Sequence, residues 1–170
     1  MGKIGIITLN GYFNYGNRLQ NFALQRTLEK MGYEVDTILK RKKKQRQNRS
    51  YSDRLTSVIN QPFSVTVKKI ERKVENKLYE NRKNLRTEIF KEFSFKYINE
   101  TDYSISDNDI PEGLADEYDF FVVGSDQVWN PYYQKGSPIE FLTFAPKHKR
   151  VSYAASFGIS SIPEEYKERY

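Results

Sequence analysis

Lys3-Ile4-Gly5-Ile6-Ile7-Thr8-Leu9 is a short β-rich apolar run ending at Asn10-Gly11, and the pattern of the next thirty residues decides the fold. From Asn17 to Met31, the residues Leu19, Phe22, Ala23, Thr27, Leu28 and Met31 recur at helical spacing. Gly32 marks the end of that helix, and Tyr33-Glu34-Val35-Asp36-Thr37-Ile38-Leu39 reads as a second strand. Lys3 to Leu39 therefore has the length and order of a βαβ unit, which joins parallel strands by a right-handed crossover. The expected class is α/β, a Rossmann-like parallel sheet flanked by helices.

A third strand is carried by Asp119-Phe120-Phe121-Val122-Val123-Gly124, which breaks abruptly into Ser125-Asp126-Gln127-Val128-Trp129-Asn130. Open α/β sheets bind ligands outside the carboxyl ends of their strands, so this break and the loop Asn10 to Asn17 fall where ligands are met. Phe141-Leu142-Thr143-Phe144 and Arg150 to Ser156 are further short strands, and Ile162 to Tyr170 begins a helix with Pro163 and acids in its first turn. Between about 65 and 95, Val67, Ile70, Val74, Leu78, Leu85, Ile89 and Phe93 lie three, four or seven apart, predicting a long helix or a kinked pair. Lys40 to Arg49 has no apolar periodicity and reads as a connection, leading to a short segment around Leu55, Val58 and Ile59 before Pro62. Asn99 to Gly113 is rich in Asp, Ser and Asn and reads as an exposed connection, with one helical turn at Leu114 to Tyr118. The expectation is one domain over residues 1–170, with the basic loop about 40–50 and the helical segment about 65–95 as insertions.

A chain of 170 residues with 38 % hydrophobic content supports a single core burying roughly 70 % of its unfolded surface. The formal charge of +6 is concentrated in Lys40 to Arg49 and Lys68 to Arg86, which reads as solvated surface or as peripheral contact with an anionic membrane. Nucleic acid is not an expected partner, since a salt-dependent patch accounts for neither Trp129 nor the first loop. There is no cysteine, hence no disulfide or thiolate nucleophile. The first apolar run is too short for a signal peptide or a bilayer span, and Ile6 stands where myristoylation wants Ser or Thr, so the expected location is cytoplasmic.

Three clusters can carry chemistry. Asn10-Gly11-Tyr12-Phe13-Asn14-Tyr15-Gly16-Asn17 is not G-x-G-x-x-G and lacks Gly-Lys-Ser/Thr, which disfavours dinucleotide and triphosphate loops. Its Asn14 and Tyr15 suit a sugar or carboxylate, while capping by Asn and packing of Tyr15 explain the same residues structurally. Ser125, Asp126, Gln127, Trp129 and Asn130 can grip sugar hydroxyls beneath an indole, with Asp126 accepting a proton; the structural alternative is a helix cap and a core Trp. Ser152, Tyr153, Ser156, Phe157 and Gly158 end the last strand on the same edge. His148, the one histidine, sits between two lysines as an exposed turn residue, and no metal site is expected.

Asn14-Tyr15-Gly16 with Leu19-Gln20 and Ala23-Leu24-Gln25, Gly124 to Asn130, and Ser152-Tyr153-Ala154-Ala155-Ser156-Phe157-Gly158 occur in order over nearly the whole chain. Together they resemble the polysaccharide pyruvyl transferase family. The resemblance implies transfer of the enolpyruvyl carbons of phosphoenolpyruvate, the donor substrate, onto two hydroxyls of a glycan or lipid-linked sugar, with no cofactor. It also implies a fold similar to the two-domain GT-B glycosyltransferases, with Asn14, Tyr15, Gly16, Asn17 and Gln20 lining the cleft from the first loop. Ser125, Asp126, Gln127, Trp129 and Asn130 would line it from the middle loop. Family members are longer, and their donor-binding Arg and His groups lie in a C-terminal domain, so this chain corresponds to the N-terminal half and is expected to be inactive alone. Two alternatives stay open: half of a GT-B glycosyltransferase using a nucleotide sugar, and a non-catalytic module binding glycan or anionic polymer.

Overall fold

A computed structural model describes residues 1–41, 63–124, 126–134 and 136–170, the side chains of 63–78 and 134 excepted. The chain divides into two compact units, Met1–Lys42 with Phe90–Tyr170, and Lys43–Ile89. The first unit contains a five-stranded sheet of β1 (Lys3–Ile7), β2 (Glu34–Lys40), β3 (Glu100–Ile105), β4 (Phe120–Gly124) and β5 (Arg150–Tyr153). Every pairing is parallel and the order is β3-β2-β1-β4-β5, so the fold is Rossmann-like α/β. Helix α1 (Tyr15–Lys30) links β1 to β2, helix α2 (Phe63–Tyr97) leads into β3, and the short α3 (Pro131–Gln134) comes after β4.

The β1 run behaves as its composition requires, because alternate residues go to opposite faces of a sheet buried on both sides. Ile4 and Ile6 join Val35, Val122 and Leu24 of α1 in one cluster, with Leu28 and Tyr33 packed against it. Ile7 joins Ile38, Phe121 and Val123 on the other face, where Ile105, Leu114, Val128, Ile139 and Leu142 complete a larger core. Strand register is consistent with this, since Ile6 is level with Thr37 on one side and Val122 on the other.

Four expectations are corrected. Only part of the apolar stripe of α1 faces the sheet: Leu28 packs against it, whereas Leu19 and Met31 are more than half exposed, and the buried positions are Asn17, Arg18, Asn21, Leu24 and Gln25. The reason lies in the second correction, β3, whose residues Glu100–Ile105 form a strand inside the stretch that reads as an exposed connection. Its start offers a carboxylate and a polar backbone to α1, so the helix turns its polar stripe inward to meet them. Phe141-Leu142-Thr143-Phe144 is a series of turns, with Leu142 at a positive φ of 54°. The last segment is a 3₁₀ helix over Glu164–Arg169. Residues 65–95, in contrast, belong to a single helix of 35 residues, spanning about 52 Å. Of the basic stretch, Lys40 closes β2 and Arg41 pairs with Asp109, while 42–49 and the segment around Leu55, Val58 and Ile59 lie outside the described residues.

Candidate functional site

The strand order reverses direction at β1, with β2 on one side and β4 on the other, so the crevice of the fold opens beyond Ile7 and Gly124. The loops after β1 and β4 flank this point, and the loop after β5 adjoins the second of them.

The middle and last loops are knitted together. The Ser156 amide donates to the Asp126 carbonyl at 3.0 Å, and the Trp129 amide donates to the Ser156 carbonyl at 3.1 Å. Two glycines make the approach possible. Gly124 has φ 134°, and a Cβ there would overlap the Tyr153 carbonyl oxygen across the β4–β5 pairing. Gly158 has φ 66° and lies directly under the Gln127 carboxamide. Both positions are ones that L side chains rarely adopt.

Within the middle loop, Asp126 Oδ1 accepts from the Gln127 amide at 2.7 Å and its side chain is half-buried. Gln127 Oε1 accepts from Asn130 Nδ2 at 3.0 Å, and Asn130 Oδ1 accepts from the Tyr132 amide at 3.0 Å, capping α3. Trp129 is half-buried, stacked on Phe141 at 5.7 Å and 11° and tilted against Phe157 at 5.6 Å. Its indole N–H donates to the Glu140 carbonyl at 2.9 Å. The Glu140 side chain is 2 % exposed and pairs with Lys40 at 2.5 Å, tying the end of β2 to the support of Trp129. Ser125 lies outside the described residues.

The first loop is held on the opposite side. Asn14 caps α1 by accepting from the Gly16 amide at 2.8 Å, and Tyr15 packs on Phe90 at 4.4 Å while remaining half exposed. Gly16 and Gln20 are exposed and Asn17 is buried. The strongest anchor is Tyr12, whose hydroxyl donates to Glu100 Oε2 at 2.7 Å. Glu100 Oε1 accepts from Arg18 Nη1 at 2.5 Å, and Arg18 also donates to Ser94 Oγ at 3.1 Å. Burial, reinforced by the bond to Glu100 and by that carboxylate's charge, pushes the Tyr12 phenol up to about 12, with Arg18 opposing. Further along α1, Asn21 accepts from Thr37 at 3.1 Å and Gln25 accepts from the Asn99 amide at 2.9 Å. None of Tyr12, Arg18 or Glu100 stands out by motif. The signal that points to Arg18 is the polar series 14, 17, 18, 21 and 25, which has helical spacing; Tyr12 and Glu100 have none.

Tyr153 is exposed at the end of β5, as are Ser152 and Ser156, while Phe157 is partly buried against Trp129; His148 is exposed in the turn that precedes the strand. Among the described residues no group of three or more His, Asp or Glu is placed to hold a metal ion, and no helix is long and apolar enough to cross a membrane.

A family model described as polysaccharide pyruvyl transferase matches residues 14–170. No curated protein and no solved structure matches the chain. The matched span contains the capping Asn14, the whole middle loop and the β5 loop that is hydrogen-bonded to it. On that match over nearly its full length, the chain belongs to the polysaccharide pyruvyl transferase family.

Proposed function

We propose that this Rossmann-like unit is the acceptor-facing part of a transferase that moves the pyruvyl group of phosphoenolpyruvate onto a sugar of a cell-surface polysaccharide. The reading rests on membership of the family together with one structural observation, the gathering of the β1, β4 and β5 loops at the carboxyl edge of the sheet. In this reaction two sugar hydroxyls add to the enol carbon, one proton goes to the methylene to form a methyl group, and phosphate leaves with the other. The product is a pyruvate ketal.

Asn14, Tyr15, Gly16, Asn17 and Gln20 would meet the sugar from one side and Ser125, Asp126, Gln127, Trp129 and Asn130 from the other. Asp126 is the group proposed to take a hydroxyl proton, since it is a partly exposed carboxylate already oriented by the Gln127 amide. The donor-handling groups belong to a GT-B-like second domain, and the basic stretch from Lys40 would bring the protein to an anionic membrane bearing lipid-linked acceptor on its cytoplasmic face.

The test is a reaction of the natural full-length protein with phosphoenolpyruvate and cell-wall glycan, following phosphate release and the ketal by mass spectrometry. Wild type should release phosphate only when glycan is present, and Asp126→Asn should slow that release by about 100-fold or more. Glycosyl transfer from a nucleotide sugar, without any use of phosphoenolpyruvate, would replace this reading.

A further inference from the structure

Arg18 is the least expected side chain of the first unit. It is 1 % exposed, and only Nη1 of its guanidinium is bonded, to Glu100 and Ser94. Nε and Nη2 are buried with no acceptor among the described residues. A buried ion pair with unused donors is a poor stabilising device, because desolvation of both charges offsets their attraction, and apolar replacements of equal volume are often neutral or better. Stability therefore does not explain this pair.

What the pair does geometrically is plain. Glu100 stands at the start of β3 and divides its two oxygens, one to Arg18 on α1 and the other to the Tyr12 hydroxyl in the first loop. The guanidinium also lies 5.4 Å from the centre of the Tyr12 ring, so the same cation holds the ring by its face and the hydroxyl through the carboxylate. Tyr12 and Glu100 line a cleft of about 550 Å³ with Lys91, Phe95, Ile98 and Asn99, on the β3 side and away from the switch point. The phenol proton is committed to Glu100, and burial together with that bond raises Tyr12 above the ordinary phenol value.

We propose that Arg18 and Glu100 are positioning residues that fix Tyr12, and with it the loop 10–14, in the conformation that meets the sugar acceptor. The proposal rests on the acceptor-facing reading above only for what the loop meets. Arg18 touches no substrate; it acts through Glu100.

The natural full-length protein is compared with Arg18→Met/Glu100→Leu, with Tyr12→Phe and with Arg18→Met/Glu100→Gln. Three readouts are taken: melting temperature, amide hydrogen exchange of residues 10–14, and affinity for the methyl glycosides of glucose, galactose, mannose and N-acetylglucosamine by saturation-transfer NMR. The first variant is expected to melt no lower than wild type, to exchange faster in the loop, and to bind the preferred glycoside about tenfold more weakly. Tyr12→Phe should reproduce the loop and affinity changes, and Arg18→Met/Glu100→Gln, which keeps an acceptor for Tyr12, should recover part of both. Unchanged loop exchange in the first two variants overturns the proposal, and so does unchanged glycoside affinity. If wild type binds none of the four glycosides, the acceptor reading falls instead, and the exchange data alone decide the positioning role.

Discussion

The two loops that flank the switch point are anchored in opposite directions and by different forces. The first is tied toward β3 by hydrogen bonds and charge, through Tyr12, Glu100 and Arg18 and through the Asn14 cap. The middle loop is tied toward β5 by close backbone approach at Gly124 and Gly158 and by aromatic packing around Trp129. Each loop thus takes this support from a different neighbouring strand, β3 for the first and β5 for the second. The difference also separates stability from position. Desolvation offsets most of the attraction within the buried Arg18–Glu100 pair, and water can take the place of the exposed Asn14 cap, so a polar anchor sets geometry at a small net energy. Nothing replaces a steric contact, so the aromatic and glycine anchors should carry most of the stability.

The sharpest test of that contrast is Gly124→Ala. Its backbone conformation alone costs an L residue about 1–3 kcal/mol, and the added Cβ would push the Tyr153 carbonyl away and open the β4–β5 pairing. A total loss of at least about 3 kcal/mol is expected in urea unfolding, enough to consume much of a marginal domain's stability. Trp129→Ala comes next, at about 3 kcal/mol, the lower end for aromatic truncation because the ring is only half-buried. Trp129→Phe keeps the stacking on Phe141 but strands the Glu140 carbonyl, and should cost about 1–2 kcal/mol. If Trp129→Ala were as mild as Trp129→Phe, the aromatic cluster would not be the anchor and the contrast would collapse.

The same division governs what is legible in the sequence. β1 and β4 announce themselves because they are buried on both faces and so are nearly continuous apolar runs, while β2 shows through its β-branched Val35, Thr37 and Ile38 directly after Gly32. β3 does not, since Glu100-Thr101-Asp102-Tyr103-Ser104-Ile105 is an edge strand whose composition is that of a loop. Without β3 the inner face of α1 is misplaced as well. Lacking a partner for Arg18 and Gln25, the apolar stripe through Leu19 and Met31 looks like the buried one. At the site, the steric half is legible as motif because close approach demands particular residues, Gly124 and Gly158 above all. The polar half is not, because Tyr12 and Arg18 stand 88 and 82 positions from Glu100, and only the fold brings them together.

On the polar side, Asn14→Ala should cost about 1 kcal/mol, an ordinary loss of a helix N-cap, measured as a modest fall in urea midpoint with an unchanged slope. A loss as large as that of Trp129→Ala would show that the first loop, too, is a stability anchor, and the contrast would need to be redrawn.

The smallest expected effect is a slope with pH, and it reports on Tyr12 itself. The ordinary phenol value is 10.0, and in the folded protein it is raised to about 12, first by burial and then by the bond to Glu100. Between these values an unfolded chain has lost the Tyr12 proton and the folded chain still holds it. The unfolded state then binds fewer protons, so stability falls as pH rises, being fully present below about pH 10 and lost as pH passes about 12. Tyr103, Tyr118 and Tyr170 are shifted up as well, each mainly by burial, and Lys3 is raised mainly by its bond to Asp36, so the whole protein should weaken in alkali. Tyr12→Phe removes one phenol from that sum and should make the decline of the urea midpoint above pH 10 shallower without abolishing it. The hydroxyl is partly open to water, which screens the effect, so the change in slope is expected to be minor beside the Gly124 and Trp129 losses. An identical slope in wild type and Tyr12→Phe would mean that the first loop does not hold its tyrosine against Glu100. The polar anchor would then be absent in solution, and only the middle loop would be held in place.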